Sequence, residues 1–194
     1  SITIAQKEEE EKVNKLKEWL TENKVSAGVN IDEDSKRYYP YSTLASQVIG
    51  ACGTDNQGLS GIEYSYDSIL KGTSGEVVMS TDASKSEIPN SQESFIPAEN
   101  GYNLTLTIDI NIQSIVEKYL KEAVEENACS KGGNCIIMDP KTGNILAMAS
   151  YPNYDLNSPF TPTSYYADNW DSLSNEEKNS RIYNMWHVRS VFET

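Results

Sequence analysis

Apolar residues along the chain fall into four patterned stretches, separated by polar and turn-rich segments. Over Ala5 to Asn23, Val13, Leu16, Trp19 and Leu20 recur at helical spacing. The run Glu8 to Glu11 lies near the start, where the helix dipole favours negative charge, so an amphipathic surface helix is expected. From Asn103 to Ile108, Leu and Ile alternate with Thr as in a short strand. Asp109 can then cap a helix running to about Asn127, with Ile112, Ile115, Val116, Tyr119, Leu120, Ala123 and Val124 on one face. Cys135 to Met138 and Asn144 to Ala149 read as two strands of a hairpin. The intervening Asp139-Pro140-Lys141-Thr142-Gly143 supplies Pro for a turn and Gly for its left-handed position. After a Pro- and Tyr-rich loop from Tyr151 to Asn169, Ser174 can cap a last helix with Ile182, Met185 and Trp186 on one side.

Between these elements, Tyr38 to Gly75 is rich in Gly and Tyr with short turns, and Glu76 to Asn100 is polar with strand-like patches and prolines. Both suit a loop-rich α+β module. No repeat or low-complexity tract interrupts the chain. Its 194 residues, 38% of them hydrophobic, suffice for one domain with a core or for two small ones. Sixteen Lys and Arg against 29 Asp and Glu give a net charge of −13 without a basic cluster. Nucleic-acid binding is disfavoured, because phosphate recognition needs concentrated cations, and so is attraction to an anionic membrane surface. The acidity reads as a solubility feature. Cys52, Cys129 and Cys135 are too few and scattered for a disulfide framework or a zinc site, although a Cys129–Cys135 bridge is open. No run is long enough to span a bilayer and no signal peptide opens the chain, so the protein is cytosolic or an anchor has been removed.

Candidate chemistry is sparse. Ser68-Ile69-Leu70-Lys71 fits S-x-x-K and Lys141-Thr142-Gly143 fits K-T-G, the signatures of penicillin-interacting enzymes. With 23 Ser and 13 Lys in the chain, chance supplies roughly one or two S-x-x-K matches. The chemistry also needs an S-x-N group, which occurs nowhere. Lys141 to Gly143 is what a hairpin turn wants. His187, the only histidine, has no nucleophile elbow nearby and reads as a surface position on the last helix. Asp32-Glu33-Asp34 fails as a calcium loop, since Arg37 and Thr43 stand where Gly and Glu are required; a solvated turn fits better. No pair among the many carboxylates has an apolar setting that would mark it for glycoside hydrolysis. Trp170, Trp186 and the twelve tyrosines are open to a sugar-binding reading or to a core and interface one.

Taken in order, five segments resemble the class B penicillin-binding proteins. Arg37-Tyr38-Tyr39-Pro40, then Leu44-Ala45-Ser46 and Ile49-Gly50, is similar to the R-x-Y-P and A-x-x-x-x-G segment of the family's pedestal, or dimerisation, domain. Gly58-Leu59-Ser60-Gly61-Ile62-Glu63, with Tyr66-Asp67, Leu70, Gly72 and Gly75, resembles the next pedestal motif, which assigns Ser68 and Lys71 to the pedestal. Leu106-Thr107-Ile108-Asp109 with Ile112-Gln113 resembles the opening of the transpeptidase region. Met138 to Ala149, including Asp139, Gly143 and Ala147, resembles its first hairpin, followed by Tyr151-Pro152, Tyr154-Asp155 and Asn157. Asn184-Met185-Trp186-His187, Val191 and Glu193-Thr194 resemble the segment that runs into Y-E-P-G-S-x-x-K, with Val188 where many members carry Asn.

The resemblance implies an α+β chain with a loop-rich pedestal over residues 1–100 and the first helix and hairpin of a transpeptidase over residues 101–194. It implies a non-catalytic piece of a serine-type peptidoglycan D,D-transpeptidase of division or sporulation type, lacking the family's anchor and its R-G-x-I-x-D-R motif in front and all three catalytic motifs behind. No catalytic, cofactor or metal residue is expected within it. The parent would sit on the extracytoplasmic face of the membrane and act on stem peptides through its catalytic domain. Implied partners are cell-wall synthesis proteins such as a membrane glycan polymerase, and a second copy in a homodimer. Two other readings are a stand-alone envelope interaction module and a self-sufficient hydrolase using Ser68 and Lys71. A hairpin separated from the rest of its sheet is expected to expose its edges.

Overall fold

A computed structural model describes residues 3–25, 27–31, 36–73, 75–78 and 94–187. The turn at Asp32-Glu33-Asp34, part of the polar stretch after Gly75, and the family segment from Val188 to Thr194 lie outside the described residues. The chain is mixed α+β and divides into two compact units, residues 1–38 and 39–194.

The first unit is built on helix α1, Glu10–Glu22. It starts later than periodicity predicts, because Lys7 adopts a left-handed conformation (φ 54°) and Glu9 is extended. The acidic run therefore supplies the N-cap and first turn, and Glu8–Lys12 and Glu11–Lys15 pair one turn apart at 2.9 and 2.7 Å. Such exposed pairs contribute little to stability. Val13 and Leu20 are half-buried while Leu16 and Trp19 remain exposed.

The second unit opens with three short helices, α2 (Ser46–Ile49), α3 (Gly61–Ser65) and α4 (Asp67–Leu70), then a two-stranded antiparallel sheet of β1 (Glu76–Val78) and β2 (Ser94–Ile96). The expected strand at 103–108 does not form. Tyr102, Leu104 and Leu106 are exposed, and among the described residues no neighbouring strand offers them a ladder. Only the end of the segment is held: Thr107 Oγ1 donates to the Ile145 carbonyl (2.7 Å) and Asp109 N–H to that of Leu146 (2.9 Å).

Helix α5 (Ile110–Glu126) begins where expected, because the Asp109 carboxylate accepts from the amides of Asn111 (2.8 Å) and Ile112 (3.1 Å). Asp109→Ala is expected to cost about 1 kcal/mol and to speed amide exchange at Asn111 and Ile112 while leaving the last turn protected. The hairpin is longer than its apolar runs suggest. Strands β3 (Gly133–Met138) and β4 (Ile145–Tyr151) pair antiparallel from Gly133↔Tyr151 to Met138↔Ile145, with an irregularity between Ile137 and Met138. Their turn is tied by the Asp139 carboxylate, which accepts from Lys141 N–H (2.9 Å) and Thr142 Oγ1 (2.8 Å), while Gly143 takes a positive φ. The same bonds, the Lys141 amide first, hold the Asp139 carboxyl below its ordinary range.

Val116 packs on Ala147 and Ala149 to form the core between α5 and the hairpin, with Ile112, Leu120 and Cys135 against it. Ile115, Tyr119 and Ala123, expected on the same face, are exposed, because two strands cover a narrower strip than the apolar stripe offers. The last helix, α6 (Asn175–Trp186), starts in a full capping box between Ser174 and Glu177, and it buries Ile182, Met185 and Trp186 as expected. These join Ala51, Tyr154, Leu156 and Tyr166 in the larger core, with Tyr39, Ile49 and Leu59 packed against it. Residues 39–59 and 154–186 thus share one core. No helix among the described residues is long and apolar enough to cross a membrane.

Candidate functional site

The glycines of the motif segment allow two backbone runs to meet without side chains between them. Gly50-Ala51-Cys52 lies antiparallel to Gly58-Leu59-Ser60. The Leu59 amide donates to the Ala51 carbonyl (2.7 Å), and the Ala51 amide donates to Ser60 Oγ (2.9 Å). Gly50 holds φ 90°, and a β-carbon there would lie 1.9 Å from the Ser60 carbonyl oxygen. At Gly58 it would lie 2.0 Å from that of Glu63, and at Gly61 2.6 Å from that of Val48. Asp67 closes the knot by accepting from the Gly58 amide at 2.8 Å. Further along, Gly72 approaches the Glu99 carbonyl, and Tyr102 N–H donates to Ile69, so the Leu70 to Thr73 run lies against residues 99–102.

Inside this knot the Tyr39 hydroxyl donates to Glu63 Oε1 (3.1 Å) and sits 3.4 Å from Cys52 Sγ, and Glu63 is buried. Burial first, then Cys52 and Glu63, push the Tyr39 phenol far above its ordinary range. At neutral pH it stays protonated and donates to the Glu63 carboxylate.

A clasp joins the knot to the segment after the hairpin. The side-chain amide of Asn157 brackets Tyr39, accepting from its N–H (3.0 Å) and donating to its carbonyl (2.9 Å). Tyr154 N–H donates to Ser46 Oγ (3.3 Å) and its hydroxyl to the Ser46 carbonyl (3.2 Å), while Gln47 Nε2 donates to the Pro152 carbonyl (2.8 Å). On α5, Gln113 is fully buried and reads the backbone of Met148 as a strand would, accepting from its N–H (2.8 Å) and donating to its carbonyl (2.9 Å). It also donates to Glu117 Oε1 (2.7 Å), and the same oxygen accepts the Ala45 amide at 2.7 Å. The chain of contacts runs Met148, Gln113, Glu117, Ala45.

Burial raises the Tyr154 phenol from 10.0 to about 12, Ser60 opposing it. The folded state thus holds this proton more tightly than the unfolded one. Its contribution is complete below pH 10 and is lost as pH rises toward 12. Urea midpoints should fall as pH rises from about 10 toward 12, and fall less in Tyr154→Phe.

Of the residues the sequence marks, Tyr39, Gly50, Gly58, Gly61, Glu63 and Asp67 come together in the knot, and Leu70 and Gly72 flank it. Pro40 opens the turn that leads to α2, Tyr66 is partly exposed, and Gly75 is exposed just before β1. Arg37 lies in the first unit. Thr107, Asp109, Gln113 and Ala147 converge on β4, whereas Asp139 and Gly143 sit apart at the hairpin's turn. The sequence reading passed over Glu117, Gln47 and the pairing of Ser46 with Tyr154. Glu117 stands four residues from Gln113 on one helix face, a spacing that could have raised it. Ser68 and Lys71 are both exposed, and Lys141-Thr142-Gly143 is the hairpin turn. His187 stacks on Tyr183 at the end of α6. No disulfide joins Cys52, Cys129 or Cys135, and no group of metal-ligating side chains occurs among the described residues.

Residues 1–106 match the family described as "Penicillin-binding Protein dimerisation domain". The chain is 41% identical over 128 residues to Stage V sporulation protein D of Bacillus subtilis, covering 66% of this chain and 20% of that protein. It is 43% identical over 131 residues to the peptidoglycan D,D-transpeptidase FtsI of Buchnera aphidicola, covering 68% and 22%. It thus spans about a fifth of the length of these curated relatives. A solved complex of the penicillin-binding protein PBP2 with MreC from Helicobacter pylori matches with a TM-score of 0.50 at 27% identity, over 78% of this chain and 28% of that one. By the match of its first 106 residues and by these relatives, the chain belongs to the class B penicillin-binding proteins, in the region of their dimerisation domain.

Proposed function

We propose that this chain is a non-catalytic portion of a peptidoglycan D,D-transpeptidase, with a pedestal in residues 1–100 and the start of the transpeptidase domain in residues 101–194. The reading is carried by the clasp. Glu117 and Gln113 tie Ala45 to β4, and Asn157 brackets Tyr39, so the motif segment fixes the orientation of the hairpin and of α6. In this role the residues marked by sequence are structural: Tyr39, Glu63 and the glycines build the knot, and Thr107, Asp109, Gln113 and Ala147 seat α5 on β4.

The acyl transfer itself belongs to residues beyond this chain. A serine there attacks the D-Ala-D-Ala end of a stem peptide, releases D-Ala, and passes the acyl group to an acceptor amine. The parent acts at the extracytoplasmic face of a bacterial membrane through an anchor outside these residues, in division or sporulation. The solved PBP2–MreC complex supports a partner surface for cell-wall synthesis proteins, among them a membrane glycan polymerase; a homodimer is the other assembly to test. The coding sequence after Thr194 tests the proposal. Y-E-P-G-S-x-x-K within a few codons, followed by S-x-N and K-T-G, is the expected result, and a stop codon there would reject it in favour of a stand-alone module.

A further inference from the structure

One stripe of α6 does not serve the core alone. Asn175, Lys178, Asn179, Ile182, Tyr183 and Trp186 follow three- and four-residue spacing along one face and line a groove of 630 Å3. Phe160 and Trp170 form its other walls. The volume falls in the roughly 300–1,000 Å3 range of small-ligand clefts. Phe160 and Tyr183 are 51% and 58% exposed, so their rings stand open to a ligand in the groove.

The groove is built in advance. Trp186 is fixed at its floor by donation from Nε1 to the Pro159 carbonyl (2.7 Å), and Phe160 meets it edge-on at 5.3 Å. Lys178 Nζ lies 5.9 Å from the Trp170 ring. In a chain of net charge −13, no carboxylate is among the side chains lining the groove.

We infer that this groove binds a glycan strand of N-acetylated amino sugars, an inference that rests on the peptidoglycan reading above. Aromatic faces match the C–H faces of pyranose rings and the acetamido methyl. The two asparagine amides donate to and accept from hydroxyl and acetamido groups, which a purely apolar partner would leave unpaired. Lys178, beside Trp170, faces the carboxylates that a peptide-bearing strand carries. An acidic protein surface would meet the same lysine, yet would not use the paired amides.

The test is titration of the chain with chitotetraose, an uncharged N-acetylglucosamine tetramer, followed by the indole N–H resonance of Trp170, with cellotetraose as the analogue lacking acetamido groups. Saturable movement at Trp170 and at the Asn179 side-chain amide is expected. Trp170→Ala and Asn179→Ala should each weaken binding, the former about tenfold or more, and cellotetraose should bind about tenfold more weakly. Asn179 is exposed, so its variant stays folded even if Trp170→Ala does not. Tyr119→Ala, an exposed aromatic change outside the groove, should leave binding unchanged. No saturable shift at millimolar sugar, equal binding of cellotetraose, or self-association that Asn179→Ala abolishes would overturn the inference. β-Lactam reactivity of the longer protein is measured separately. A reactive parent with no glycan shift rejects the groove alone, and an unreactive parent rejects the transpeptidase reading whatever the groove binds.

Discussion

Gly50→Ala is expected to lower the urea midpoint of the second unit more than any other single methyl addition to the knot. Two penalties coincide there. The backbone at Gly50 has φ 90°, a region that costs a residue with a β-carbon roughly 1–3 kcal/mol. The added carbon would also lie 1.9 Å from the Ser60 carbonyl oxygen and 2.4 Å from its carbon, so the two backbone runs would have to part. Overpacking of this kind costs a further 1–3 kcal/mol or so, and parting the runs removes the Leu59 and Ala51 hydrogen bonds. A loss of at least about 3 kcal/mol is a large share of a domain's total stability. Gly143→Ala separates the two causes. It shares the positive φ but meets nothing within 4 Å, so only about 1 kcal/mol should go. Equal losses at both positions would show that conformation alone governs the knot.

Gln113→Leu is expected to uncouple α5 from β4. Leucine fills a similar volume but strands the Met148 N–H and carbonyl, which point at the buried amide, and removes the donor that orients Glu117. Each orphaned buried group costs about 1–3 kcal/mol, so a loss near 3 kcal/mol is expected by urea unfolding. Gln113→Glu makes the argument sharper. It would set a second carboxylate against Glu117, where the amide now donates at 2.7 Å, and like charges at that distance raise the affinity of the pair for a proton. The deficit of this variant should shrink as pH falls from neutrality toward about 5, because a protonated carboxyl can again donate. A deficit independent of pH would mean that Glu117 is not its partner.

The elements legible in the sequence are those whose signals are local. Asp109 caps α5 through amides two and three residues away, Ser174 and Glu177 cap α6 reciprocally, and Asp139 with Gly143 makes the hairpin turn. Each depends on side chains reaching their own neighbours. Where the outcome depends on distant partners, pattern misleads. The alternation at 103–108 resembles a strand, yet a strand needs an adjacent ladder. The apolar stripe of α5 reads as one face, yet the hairpin covers only part of it, leaving Ile115 and Tyr119 in solvent. Asn157 and Tyr39, 118 residues apart, carry no local sign of pairing. The motif residues were legible by resemblance, but their work was not. Nothing in a row of glycines says which carbonyl each must approach.

The open edge of β3 has the same origin. Among the described residues it pairs only with β4, and Ile136 and Met138 are largely exposed beside it. A free apolar edge invites pairing with another chain, so this segment is the expected site of aggregation when the chain is handled alone.

Labelling with a fluorescent β-lactam, followed by mass-spectrometric mapping of the modified serine, tests the proposed function most directly. The protein from its native host should be labelled on a serine outside residues 1–194, in an S-x-x-K sequence, and the 194-residue chain should take up no label. Labelling of the chain itself, at Ser68 and abolished in Ser68→Ala, would contradict the pedestal assignment and return Ser68 and Lys71 to catalysis.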